Sequence, residues 1–399
     1  MILSIGMISG KISILFKIPD VVLFIVAGII IGQGLQLINE ESASLYNQFI
    51  LVVGAALILF DGGRNIRLSG LKKVWLTVTL LSIPGVMVTI AVIGFAAHYL
   101  LGIPYLYAFL LGSIIASTDP ASIIPVFKQV KIRPKVRETV ESESAFNDAT
   151  ASIMTFTILA IILKEQKFSI TSSLFDFFKT AGGGILVGCC LGYLISISVA
   201  HLKLGFLRDY TTIAMIVTAL STYLIGDFLD VSGLMATFTA GLIWGNSARF
   251  GLHMHDKLNE MGHFSENITV IMRMLIFILL GSQVDFLIIY EYLWQSLGLI
   301  LLLMFVARPL TVFLSTWPDW KAQWTWKELL FMCWVRETGV IPAALAGVIL
   351  GMGVKHADII SSVTFMAILL TILIQASTTA YVGRKLGIVE NIPSSTKQE

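Results

Sequence analysis

The chain has 399 residues, 56% of them hydrophobic and only 13% charged, about half the charge of an ordinary soluble domain. That composition excludes a soluble globular protein, and a net charge of +2 leaves no basic face for nucleic acid. Apolar runs of about 20 residues recur from end to end between short polar loops, as bilayer-crossing helices require, whereas a β-barrel would show short alternating segments.

Hydropathy divides the sequence into about 13 segments, approximately 1–16, 18–34, 45–62, 71–99, 103–127, 136–163, 177–200, 210–226, 231–245, 266–282, 292–316, 327–351 and 359–382. The expected fold class is an all-α polytopic membrane protein. In the first segment Lys11 comes too early for a helix that must cross about 30 Å of hydrocarbon. Either Lys11 snorkels from a short helix or the true start lies upstream. No cleavable leader is visible.

The third segment ends in Leu59-Phe60-Asp61-Gly62-Gly63. Asp61 is either an ordinary helix-end carboxylate before a loop or an additional cation ligand at a funnel. Segment five holds Thr118-Asp119-Pro120, and a basic loop (Lys128, Lys131, Arg133, Lys135, Arg137) leads to Glu141-Ser142-Glu143-Ser144-Ala145-Phe146-Asn147-Asp148 at the start of segment six. Carboxylates at membrane depth are costly and are functional candidates by default.

Gly182-Gly183-Gly184 reads as a close-packing site, because no strand precedes it to make a phosphate loop. Cys189, Cys190 and Cys333 fall in apolar runs and read as packing residues, not as a disulfide or metal framework. The longest loop, 246–265, carries His253, His255 and His263 and reads as a solvated loop. Arg273 is expected to snorkel to the surface.

Twenty of the 27 Lys and Arg residues fall on the side that faces the loops after odd-numbered segments. The positive-inside rule makes that side cytoplasmic, with the N-terminus outside and the C-terminus inside.

Two segments are interrupted in matching places. Pro120 lacks an N–H and disfavours helix at Asp119, so segment five should unwind near its middle. Segment twelve carries Arg336-Glu337-Thr338-Gly339-Val340-Ile341-Pro342. Seven segments separate the breaks, an odd number, so the two helices run in opposite directions, as an inverted repeat of segments 1–6 on 8–13 would place them. Paired interrupted helices point to a secondary transporter's binding site. Asp119 then sits by positive helix N-termini and Arg336 by negative C-termini. The competing reading is a pair of proline kinks repaired by neighbouring helices.

On a helix Ser144, Asn147 and Asp148 share one face. Their oxygens suit a hard monovalent cation, and unwound backbone at Thr118 could add carbonyls. Burial favours a protonated carboxylate, so proton and cation would compete for Asp148. Glu143 points about 140° away from Asp148 and reads as the structural partner of Arg308, a buried charge in segment eleven that needs one.

These residues resemble the monovalent cation:proton antiporter superfamily, in its sodium/proton exchanger branch, and the resemblance covers essentially the whole chain. It rests on Thr118-Asp119-Pro120 and on Glu143-Ser144-Ala145-Phe146-Asn147-Asp148, similar to the branch's E-S-x-x-N-D pattern. It implies crossed broken helices in segments five and twelve and a homodimer. A mobile core (about 71–163 and 292–386) would move against a dimerisation scaffold (about 1–62 and 210–282), with a linker helix at about 177–200. It further implies Asp148 as the cation and proton carboxylate and Asn147, Ser144 and Thr118 as site residues. Glu143 with Arg308 becomes a supporting ion pair, and Asp61 completes the cation site in some members. Asn147, where other branches have a second aspartate, is similar to electroneutral one-for-one exchangers. The chain departs from the pattern at Arg336-Glu337, where the branch has Arg-Gly.

The expected activity is therefore exchange of sodium, or of potassium or lithium, for protons across the cell membrane, without a cofactor and with lipid and the transported ions as partners. A channel would need repeated filter residues, and none is visible. An intramembrane enzyme would need a base for Ser144, and no His lies at membrane depth.

Overall fold

The computed structural model describes residues 2–16, 19–35, 45–119, 127, 130–164, 170–200, 206–252 and 258–389. Pro120, His253, His255, Lys17 and Lys128 lie outside the described residues. The helices are α1 (Ile2–Phe16), α2 (Asp20–Ile29), α3 (Leu45–Asn65), α4 (Leu68–Ser82), α5 (Pro84–Leu101) and α6 (Tyr105–Ile115). They continue as α7 (Pro134–Lys164), α8 (Ile170–Ala200), α9 (Thr211–Phe228), α10 (Gly233–Gly245) and α11 (Leu258–Ser282). After a short helical turn come α12 (Leu293–Leu302), α13 (Arg308–Thr316), α14 (Trp326–Trp334), α15 (Val340–Gly351), α16 (Ala357–Thr371) and α17 (Ser377–Leu386). Among the described residues the chain is helical and forms no strand beyond one isolated bridge, Ile132 to Val389.

Eight helical stretches among the described residues are long and apolar enough to cross a bilayer, and Ile2–Ser13, Asp20–Gly34, Tyr105–Ile115, Gly233–Gly245 and Val340–Gly351 are shorter apolar helices. That is fewer full-length helices than the segments read from hydropathy. The difference is physical: segment twelve divides into two pieces, the described helix of segment five ends at Ile115, and a short helix can be apolar without being long enough. Segment four is one 34-residue stretch, Leu68–Leu101, jointed at Pro84, which has no N–H to continue the ladder.

Helices without water between them pack through small residues. On α8, Gly184, Gly188 and Gly192 recur every fourth residue and face Ser232, Ala236 and Ala240 of the α10 strand of packing, where an added Cβ would lie 2.6, 2.3 and 2.8 Å from the nearest atom. Gly63, Gly241 and Gly245 bring α3 and α10 together in the same way, with Cβ positions 2.1, 2.1 and 1.9 Å from backbone oxygens. Gly28 and Gly281 do so for α2 and α11. The exposed aromatics Tyr290 and Trp294 at one end of α12 and Trp317 and Trp320 beyond α13 bracket a span of about 35 Å at 1.5 Å per residue, as interfacial aromatic belts do.

Three expectations are corrected. The Arg273 head is paired and not solvated: it is buried and donates to Asp20 at 3.1 Å, because α2 begins after Pro19 with a carboxylate in its first turn. The loop at 246–265 is shorter than expected, since α11 begins at Leu258 and places exposed His263 on a helix. Asp61 does not end its helix. α3 continues to Asn65, and Gly63 serves the contact with α10 instead of opening a loop.

Candidate functional site

α6 ends at Ile115, and Ser117, Thr118 and Asp119 follow in non-helical conformation. This unwound strand lies against one face of α7. Thr118 and Asn147 make a reciprocal pair: the Thr118 N–H donates to Asn147 Oδ1 at 3.2 Å, and Asn147 Nδ2 donates to Thr118 Oγ1 at 2.8 Å. One turn earlier, the Ser144 hydroxyl donates to the Thr118 carbonyl at 2.5 Å. Asp148 accepts a short hydrogen bond from Ser117. Asp148 is 9% exposed, and Ser144 and Asn147 are 2% exposed. Five polar side chains and a freed peptide therefore close into one buried cradle. Among the described residues no Lys or Arg forms an ion pair with Asp148.

The second interruption runs from Val335 to Gly339, between α14 and α15. α14 opens on a capping box, Thr325 with Glu328, and its far end is freed where Val335 turns extended. Those freed carbonyls are taken up by side chains. Arg308 Nε donates to Met332 O at 2.9 Å and its Nη2 to Val335 O at 3.3 Å. Gln375 Nε2 donates to Trp334 O at 2.7 Å. Both donors sit at π turns, Leu303–Ala307 and Ile372–Ala376, where one extra residue per turn re-aims the side chains that follow.

The two interruptions touch. The Asp119 N–H donates to the Glu337 carbonyl at 2.9 Å, and Asp119 Oδ2 accepts from the Val340 N–H, at the start of α15, at 3.3 Å. Gly339 is required there, because a Cβ would lie 1.9 Å from Asp119 Cβ. Arg336 Nη2 in turn donates to Ile115 O and Ala116 O at 2.8 and 3.1 Å, the C-terminal carbonyls of α6. Each charged side chain thus meets the end of the other broken helix whose partial charge it offsets.

Glu143 and Arg308 form a buried two-pronged ion pair, with Nη2 to Oε2 at 3.0 Å and a shorter Nη1 to Oε1 contact. Asp61 stands apart from the cradle: its carboxylate accepts from Arg64 at 2.8 Å, Asn65 at 3.1 Å, Ser265 at 2.5 Å and Thr269 at 3.3 Å. Sequence reasoning missed Ser117 and Gln375. A lone amide inside an apolar run, as in Ile374-Gln375-Ala376, is a signal that would have found the second. A small cavity of about 10 Å³ opens among Thr118, Asp119, Glu143, Ser144, Arg308, Arg336 and Glu337. Among the described residues no cluster of His, Cys, Asp and Glu could hold a resident metal.

The chain is similar to known proteins along nearly its whole length. Residues 1–385 match the family model described as "Sodium/hydrogen exchanger, transmembrane". The chain is 32% identical over 413 aligned residues to Na(+)/H(+) antiporter 1 of Methanocaldococcus jannaschii, covering 96% of this chain and 94% of that protein. It is 31% identical to the Na(+)/H(+) antiporter ApNhaP of Aphanothece halophytica, over 90% of this chain and 69% of the relative. The solved structure of the sodium proton antiporter MjNhaP1 from Methanocaldococcus jannaschii at pH 8 superposes with a TM-score of 0.85 at 29% identity, covering 96% of each chain. A buried carboxylate cradle where an interrupted helix meets its neighbour, in a polytopic helical chain matched along nearly its whole length, belongs to a transporter and not an enzyme: the chain belongs to the sodium/hydrogen exchanger family.

Proposed function

We propose that this protein exchanges a monovalent cation, sodium in the first instance and potassium or lithium by the same chemistry, for a proton, with Asp148 alternately protonated and cation-bound. The observation that carries the reading is Asp148 itself. It is a buried carboxylate with a hydroxyl partner but no basic partner among the described residues, whereas Glu143 on the same helix is neutralised by Arg308. A carboxylate buried without a counter-charge is stable only when a proton or a cation supplies one. The empty, charged form is too costly to carry through low dielectric, so competition for one site enforces exchange.

Ser144, Asn147 and Thr118 are the oxygens that would join Asp148 around the cation. Their mutual hydrogen bonds hold the cradle together, and a cation entering would take over the Ser144, Thr118 and Asp148 oxygens. Asp119, Glu143, Arg308 and Arg336 act as supports of the two breaks. Asp61 lies in a separate polar network and serves, in this reading, a cytoplasmic approach. With one carboxylate carrying either ion, exchange is one for one and electroneutral.

The wider cycle is proposed with it. The core at about 71–163 and 292–386 would move in elevator fashion against a scaffold at about 1–62 and 210–282, within a homodimer of the cell membrane. The N-terminus would lie outside, the C-terminus in the cytoplasm, and the activity would serve pH homeostasis. Proteoliposomes carrying an imposed pH gradient test the central claim. Wild-type protein should give proton flux dependent on added alkali cation, and Asp148→Asn should lower it by at least about 100-fold, the loss expected when the only carrier group goes. Full exchange by Asp148→Asn would show that another group carries the ion.

A further inference from the structure

Glu337 has no part in the cradle, yet it is the most buried carboxylate of the membrane core. It is 0% exposed, and neither of its carboxylate oxygens has a hydrogen-bond partner in any other described residue. The charged groups that face it are Asp119, Arg308 and Arg336, and Glu143 lines the same small cavity. Each of these has its own contacts. Arg308 is committed to Glu143 and to two freed carbonyls. Arg336 gives Nη2 to the end of α6, and Asp119 accepts from the Val340 N–H at the start of α15.

The charges of those four neighbours, two carboxylates and two guanidinium groups, cancel. An ionised Glu337 would then be a surplus negative charge whose carboxylate has no donor from any other described residue, only its own backbone N–H, an arrangement that proteins avoid by neutralising the group. The cavity beside it, about 10 Å³, has room for about one water, so solvent does not reach it to accept a proton in this conformation.

We propose that Glu337 is a second proton-binding site of this protein: a carboxyl that stays protonated while Asp148 alone exchanges proton for cation. The first half of this inference stands on the burial and charge count around Glu337, and the second rests on the proposed role of Asp148. Its consequence is that the charges buried around the two breaks, those of Asp119, Glu143, Arg308 and Arg336, sum to zero. Loading Asp148 with one proton or one cation then leaves the buried cluster at the breaks at the same net charge in both directions. The residue that departs from the family's Arg-Gly pattern adds a carboxyl group without adding a charge.

Infrared spectroscopy of the full chain in lipid separates the two halves. The Asp148→Asn variant removes the carrier carboxyl from the spectrum. At neutral pH this variant should retain the carbonyl band of a buried protonated carboxyl, slow to shift in heavy water. Adding Glu337→Gln should abolish that band, and adding Glu337→Asp should shift it, so the assignment does not depend on one variant folding. Absence of the band in Asp148→Asn at neutral pH overturns the inference, whatever Asp148 does. In proteoliposomes, wild type and Glu337→Gln should both move no net charge per cation, whatever their rates. Exchange that is electrogenic in wild type and electroneutral in Glu337→Gln would make Glu337 a cycling carrier and overturn the inference as well. Failure of the Asp148 reading shows separately, as exchange retained by Asp148→Asn.

Discussion

The two interruptions lie against each other and are built in opposite ways. The first is finished by its neighbour: Ser117, Thr118 and the Thr118 peptide find partners on Asp148, Asn147 and Ser144 of α7. The second is finished at its ends and bare in its middle. Arg308 and Gln375 cap the freed carbonyls of α14, and the Thr338 N–H donates to Thr371 Oγ1 at 3.1 Å. Between them Arg336 Nη1, both Glu337 carboxylate oxygens and Thr338 Oγ1 have no partner in any other described residue. Satisfied polar groups fix a geometry, and unsatisfied buried ones constrain which charge states a site can hold. The first break is thus suited to grip an ion by position, and the second to set the charge of its surroundings.

The largest break in this comparison should come from Arg308→Ala. It strips Glu143 of its counter-charge and leaves the carbonyls of Met332 and Val335 unmet. Breaking a buried pair from one side costs about 3–5 kcal/mol, so the melting temperature in detergent should drop steeply. The Glu143→Ala, Arg308→Ala double variant should recover part of the loss, since neither charge is then stranded. A single variant as stable as wild type would mean that the pair does not hold the second break.

A smaller and more local effect is expected at the first break. Asn147→Ala removes both halves of the reciprocal pair with Thr118 and leaves a buried N–H and hydroxyl unmet, at about 1–3 kcal/mol. Because the loss falls on the cradle, the half-saturating cation concentration should rise by about 10-fold, the equivalent of about 1.4 kcal/mol. The Glu143 pair stays intact, so thermal stability should fall less than in Arg308→Ala. If stability fell as far with cation affinity untouched, Asn147 would be a brace for the fold and not a part of the grip.

Much of this arrangement was legible in the sequence, for one reason: charge in an apolar run is expensive enough to dictate its own partner. That argument singled out the apolar segments, located both breaks, and paired Glu143 with Arg308 before any coordinates. It also set Asp119 and Arg336 against helix ends of opposite partial charge, where their hydrogen bonds lie. What it could not supply was register. The π turns before Arg308 and around Gln375 leave no periodic mark in the sequence, yet they aim the two side chains that cap α14. Ser117 was passed over because a small hydroxyl beside Thr118 and Asp119 carries no cost that demands explanation. The partner of Arg273 is not legible, because Asp20 lies 253 residues away and nothing local announces it.

The smallest expected effect tests whether the two broken helices are held together at their outer ends as well as at their breaks. Tyr107, on α6, meets His356, in the turn between α15 and α16, edge to face with ring centroids 5.0 Å apart. Burial, and next the adjacent Lys355, hold the His356 imidazole below its ordinary pKa. The folded chain therefore binds this proton more weakly than the unfolded chain does. The stabilisation is complete above the ordinary histidine value of about 6.5 and is lost as pH falls through the folded value. His356 is only partly buried, and solvent screens the effect, so lowering the pH from 7 to about 5.5 should reduce the melting temperature by about 1 °C through this group. His356→Gln, which cannot gain the charge, should remove that increment while leaving the steeper carboxylate-driven loss at lower pH. If the increment survives in His356→Gln, the outer contact contributes nothing that titrates, and the two broken helices are joined by their interruptions alone.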